Sequence, residues 1–84
     1  MFINDPTVPR PIDVVTIRTE THSESNPLLR RRTINGYNVI GSASPCDRFL
    51  VNGERVAPAL RCLRRNGFKL VCERRDLLVL RRVP

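Results

Sequence analysis

Tryptophan is absent from this chain, histidine and lysine occur once each as His22 and Lys69, and aromatics make up 5% of the residues. Each shortage removes a class of function. The lone histidine sits in the polar run THSES, so a serine or cysteine nucleophile would have no base within reach. Few aromatics leave little for stacking single-stranded bases; Tyr37 and Phe49 could serve, although core filling is the commoner fate of such residues. RNA recognition on a sheet would need further aromatics on the strand after the last glycine, and NGFKLV supplies Phe68 alone. No window approaches the roughly 20 apolar residues of a membrane-spanning helix, and MFINDPTVPRP lacks the basic and apolar regions of a signal peptide. A cytoplasmic protein with no membrane partner is expected.

Cysteine is scarce as well. Cys46, Cys62 and Cys72 are odd in number and form no CxxC pair, which argues against a secreted disulfide framework and matches neither a zinc finger nor a zinc ribbon. They are expected as small buried hydrophobes, with no metal and no cofactor. GSASP at Gly41 to Pro45 has proline where the nucleophile-elbow motif GxSxG requires its second glycine. No glycine-rich phosphate loop is present, and the carboxylates are scattered. No catalytic residue can be assigned, and a non-enzymatic protein is expected.

Arginine is what the chain has in quantity. The net charge is +7, and of the 15 basic residues all but Lys69 are arginine. The charge is uneven: residues 1 to 29 carry a net −2 and residues 30 to 84 a net +9. A dense basic field attracts polyanions, and guanidinium grips phosphate or carboxylate in a planar two-pronged geometry that lysine cannot reproduce. A solvated arginine-rich surface with no partner is the alternative.

With 84 residues, 40% of them hydrophobic, the chain has room for one small domain that buries only roughly 60% of its unfolded surface. Pro6, Pro9 and Pro11 predict an extended arm, followed by the β-branched run IDVVTIRTET, so residues 1 to 29 are expected as an N-terminal arm that is extended or partly β and adds at most an edge strand. Asn35-Gly36 predicts a two-residue hairpin between strands near 29 to 34 and 37 to 41. FLV at 49 to 51 reads as a short strand before a second Asn-Gly, which turns the chain either into ERV or directly into the helix.

ALRCLRRNG is the clearest helix. Pro58 suits its first turn, Gly67 its left-handed stop, and Phe68 folds back on Leu63. At about 100° per residue, Val56, Ala59, Leu60 and Leu63 share one face and Arg61, Arg64 and Arg65 the opposite one. FKLVC and LLVLRRV then predict a closing hairpin turning at Arg74 and Arg75. Pairing Cys72 with Leu77 would set Phe68, Leu70, Cys72, Leu77 and Val79 on one face and Val71, Leu78 and Leu80 on the other, the second needing cover. The fold class is therefore a small single α+β domain over residues 30 to 84, ordered roughly ββ(β)αββ.

Helix, glycine stop and basic hairpin over residues 56 to 83 resemble the last helix and wing of a winged helix-turn-helix domain, which implies DNA binding with the helix in the major groove and the hairpin on the backbone. Two further helices would precede them in that family, whereas residues 31 to 55 read as strands and loops. The stretch LRRNGFKLVCERRDLLVL is also similar to small docking domains of multienzyme synthases, which implies a protein partner at a hairpin edge. Arg61 and Arg65 form a like-charge i, i+4 pair with no acid between Val56 and Glu73, which favours a functional basic face over a solvated one. The expected function is a small basic regulatory or accessory protein, phage-like or from a mobile element. It would bind nucleic acid, DNA foremost, through arginine–phosphate contacts from Arg61, Arg64, Arg65, Lys69, Arg74, Arg75, Arg81 and Arg82, with Arg30, Arg31 and Arg32 extending the surface. The alternative is a protein-binding module that forms a homodimer or meets an acidic partner.

Overall fold

The computed structural model describes residues 12–22 and 31–83. The chain forms strands β1 (Asp13–His22) and β2 (Arg31–Ile40), a 3₁₀ turn at Asp47–Phe49, helix α1 (Val56–Arg65), and strands β3 (Lys69–Glu73) and β4 (Leu77–Arg82). The fold is α+β: a four-stranded antiparallel sheet in the order β2-β1-β4-β3, with α1 packed on one face. No helix among the described residues is long and apolar enough to cross a membrane.

β1 is an inner strand, paired with β2 on one side and β4 on the other. This corrects the expectation that residues 1 to 29 form an arm adding at most an edge strand; residues 1–11 and 23–29 lie outside those described. The physical reason is a long-range match. Val15 and Ile17 are directly opposite Leu80 and Leu78, all four are fully buried, and a strand carrying two such positions gains more by pairing on both edges than on one. Ile34 from β2, Val56, Ala59 and Leu63 from α1, and Phe68 complete the core, with Ala43, Cys46 and Leu50 closing it from the loop.

Asn35-Gly36 is not a hairpin turn. β2 runs through it, and the register slips so that Arg18 faces both residues: Ile17 pairs with Tyr37, and Thr19 with Ile34. A two-residue hairpin of this type needs positive φ at both positions, whereas Gly36 has φ +110° and Asn35 does not share it, so the pair forms a β-bulge. The expected strand at 49 to 51 is likewise replaced, with Phe49 ending the 3₁₀ turn and Leu50 reaching the core. The second Asn-Gly lays the chain along the free edge of β2 and into the helix: Gly53 N–H donates to Ile34 O at 2.7 Å, Ile34 N–H to Glu54 O at 2.8 Å, and Arg55 bridges Thr33.

α1 has no side-chain cap at its start and no acid in its first turn, so packing of Val56, Ala59 and Leu63 holds it in place. Its end is as the sequence predicts. Gly67, at φ +92°, donates to Arg64 O at 3.2 Å, and Phe68 N–H donates to Leu63 O at 3.0 Å, the paired bonds of a Schellman ending.

The closing hairpin has a different register from the expected one. Val71 bulges out, Cys72 pairs with Val79 and Leu70 with Leu80, and the turn centres on Arg75 and Asp76, closed by Arg74 N–H to Leu77 O at 2.8 Å. The bulge places Leu70 and Cys72 on opposite faces. Leu78 and Leu80 therefore enter the core with Phe68, while Leu77, Val79 and Cys72 lie half-buried on the face away from α1.

The reading of the cysteines is corrected as well. Cys46 and Cys62 form a disulfide that ties the 3₁₀ turn to α1, and only Cys72 of the three is free. They are 16 residues apart, a separation that has no local pattern, so tertiary approach alone brings them together. The two helices that a winged helix-turn-helix domain would place before α1 are not found among the described residues; β1, β2 and the 3₁₀ turn occupy that part of the chain.

Candidate nucleic-acid interface

The site begins with helical spacing. Pro58, Arg61, Cys62, Arg65 and Asn66 fall at i, i+3, i+4, i+7 and i+8, one stripe along the flank of α1. Against this stripe lies the loop carrying Pro45, Arg48 and Phe49, and these residues line a single open groove with it. The Cys46–Cys62 disulfide holds the two walls together. Arg48 lies over the Phe49 ring, 4.8 Å from guanidinium carbon to centroid, which orients a cation beside the groove. Arg64 is exposed one stripe away and does not line it. Among the described residues, no carboxylate pairs with Arg48, Arg61, Arg64 or Arg65.

Asn66 joins the groove from the helix C-cap. Its side-chain Nδ2 donates to Cys62 O at 2.8 Å and lies 3.6 Å from Cys46 Sγ and 3.7 Å from Cys62 Sγ.

The remaining arginines do not extend this site. Arg82 is committed internally: its Nε donates to Asp13 Oδ2 at 2.9 Å, Nη1 to Ser44 O and Asn66 O, and Nη2 to Ser42 O, with the guanidinium 4.4 Å over the Phe68 ring. The Ser42 N–H, which donates to Asp13 Oδ1 at 2.9 Å, and then Arg82 hold the Asp13 carboxyl below its ordinary pKa. Arg32 is committed as well, with Nε donating to Thr19 Oγ1 at 3.1 Å and Nη2 to the carbonyls of Arg74 and Arg75. It fastens β2 to the β3–β4 turn across β1.

Arg74 and Arg75 project from that turn between Glu73 and Asp76. The turn begins β4 and Arg82 ends it, so the two lie roughly 17 Å apart along the strand at ~3.4 Å per residue. Lys69 and Arg81 are exposed and directly opposite one another, on the sheet face away from α1. Arg31 starts β2 opposite His22, in a cleft shared with Glu20 and Glu54. Arg30 lies outside the described residues.

The sequence-predicted basic surface thus resolves into separate parts, of which the α1 flank brings three arginines to one groove with no carboxylate paired to them among the described residues, Asp47 being next to Arg48 in the chain. Arg48 was missed because it looks like an ordinary loop residue, and Phe49, weighed for stacking, was expected in a strand rather than beside α1. A pairing of Cys46 with Cys62 would have pointed to them, since it sets the residues after Cys46 beside Arg61. Comparison with protein-family models, curated proteins and solved structures finds no match to this chain.

Proposed function

We propose that this protein binds nucleic acid, DNA foremost, as a small basic regulatory or accessory protein without enzymatic activity, and that the α1 flank is its primary contact. The observation that carries this reading is the convergence of Arg48, Arg61 and Arg65 on one groove with no carboxylate paired to them among the described residues. Guanidinium groups free of acids bind phosphate oxygens in bidentate geometry, and Arg64 on the next stripe would reach an adjacent phosphate. Lys69, Arg74, Arg75 and Arg81 then act through the long-range field that speeds encounter rather than through the same footprint. Arg32 and Arg82 serve the fold.

Fluorescence anisotropy with a duplex and a single strand, from low to high salt, tests the proposal. Affinity should fall linearly on a log–log plot with a slope of roughly −0.9 for each duplex phosphate contacted. Absence of binding to either form at low salt overturns it.

A second reading draws on a different face. Val14, Leu77, Val79 and Cys72 are only half-buried on the outer side of the sheet, and Ile40 is 58% exposed beside them. This apolar strip, with Lys69 and Arg81 at one end, suits a protein partner with an acidic rim. Sedimentation of a strict monomer, with no association with acidic protein surfaces, would count against it.

A further inference from the structure

Cys46 is fully buried, whereas Cys62 is partly exposed and lines the groove on which Arg48, Arg61 and Arg65 converge. With Cys46 wholly enclosed, Cys62 is the residue of the pair that a reagent in the groove can approach, which favours attack there. The groove leading to it is lined by three guanidinium groups, so a negatively charged nucleophile is concentrated there and a positively charged one is depleted. Asn66 Nδ2 lies 3.6 Å from Cys46 Sγ and 3.7 Å from Cys62 Sγ, where an amide donor can stabilise the charge on either departing sulfur. The burial of Cys46 alone therefore sets the direction of attack.

We propose that the Cys46–Cys62 disulfide is a thiol–disulfide exchange site for anionic thiols, such as a carboxylate-bearing peptide thiol, with attack at Cys62 and departure of Cys46. The attacking thiolate forms a new S–S bond with Cys62 Sγ as the Cys62–Cys46 bond breaks. Cys46 leaves with the electron pair and takes a proton from water. A second thiolate attacks the small-molecule sulfur of the mixed disulfide and expels the Cys62 thiolate, which is then protonated. Two small thiols are oxidised to one disulfide and the protein disulfide is reduced to two thiols, so the electrons balance with no other reagent. Reduction removes the covalent tie between α1 and the loop carrying Arg48 and Phe49, leaving Ala43 and Leu50 in the core to hold that wall of the groove. The exchange does not depend on the ligand that fills the groove, so it stands apart from nucleic-acid binding.

The test uses the full chain, equilibrated in air, and compares 3-mercaptopropionate, 2-mercaptoethanol and cysteamine, which carry negative, neutral and positive charge outside the thiol. Rates of disulfide loss are taken per thiolate and corrected for thiol basicity with a Brønsted coefficient of about 0.4–0.5. Mercaptopropionate should react about tenfold faster than cysteamine at low salt, high salt should abolish the difference, and Arg61→Gln with Arg65→Gln should shrink it. Any ratio above about twofold that salt removes sustains the proposal, and a smaller or salt-independent ratio overturns it. Alkylation and peptide mapping should find the mixed disulfide on Cys62. An adduct on Cys46 overturns the proposal, as do three free thiols in the air-equilibrated protein. Where no adduct accumulates, the rate ratio decides alone.

Discussion

Arg82 reaches across the end of the sheet to Asp13, Nε to Oδ2 at 2.9 Å, and joins two residues 69 positions apart in the chain. The same guanidinium holds the carbonyls of Ser42, Ser44 and Asn66, so a single side chain fastens the first strand, the loop after β2 and the helix C-cap to the last strand. An arginine that looks like part of a basic tail is therefore the fastener of that end of the fold.

Acid should loosen this end. The Ser42 N–H and Arg82 lower the Asp13 pKa from its ordinary 3.8. A carboxyl whose folded pKa is depressed contributes stability that is fully present above its unfolded pKa and is lost as pH falls through the folded one. Asp13→Asn should therefore be less stable than the parent near neutral pH, and the gap should close as pH falls from about 5 towards 2. Urea unfolding across that range checks this; a gap that widens in acid contradicts it.

The hairpin register is open to a direct mutational contrast. Leu78 is fully buried opposite Ile17, while Val71 on the bulge is 56% exposed. Leu78→Ala should cost about 2–5 kcal/mol, and Val71→Ala within about 0.5 kcal/mol of nothing. Chemical denaturation that gives the two substitutions similar costs would favour the register expected from the sequence, in which Val71 and Leu78 share a face.

Arg32 and Arg74 separate structural from binding roles at the other end of the sheet. Arg32 donates from its side chain to the carbonyls of Arg74 and Arg75, whereas Arg74 contributes its backbone there. Arg32→Ala should destabilise the fold by about 1 kcal/mol, with faster hydrogen exchange at Thr19, whose N–H donates to Asp76 O in the same turn. Arg74→Ala should leave both nearly unchanged.

On nucleic acid the arginines should divide by position. Arg61→Ala and Arg65→Ala should each weaken binding and reduce the salt slope by about 1. Arg74→Ala and Arg81→Ala should weaken it less, because they lie at the far end and on the opposite face of the sheet. Equal losses at all four positions, read by anisotropy, would replace the groove with a diffuse field.

The helix was legible in the sequence from end to end. Pro58 near its start, leucines at helical spacing, Gly67 at its stop and Phe68 beyond are local signals, and each depends on neighbours within a turn or two. The first strand was legible as β-prone but not as central, because Val15 and Ile17 acquire their partners from Leu80 and Leu78 more than sixty residues later. Asn35-Gly36 misled because the same dipeptide serves a hairpin or a bulge, and the choice follows from whether one or both residues take positive φ. The cysteines misled because their count argued against pairing, whereas pairing follows from approach in space.

The candidate site divides the same way. An acid-free row of arginines on one helix could be read from spacing, since side chains three and four apart share a face whatever surrounds the helix. Which of them converge could not. Arg61 and Arg65 gain Arg48 and Phe49 through a disulfide spanning 16 residues, while Arg32 and Arg82 are drawn into internal hydrogen bonds by strands far along the chain. Local chemistry sets what each segment prefers to be; long-range pairing, which no short window of sequence contains, selects which charges hold the fold and which are left to face a partner.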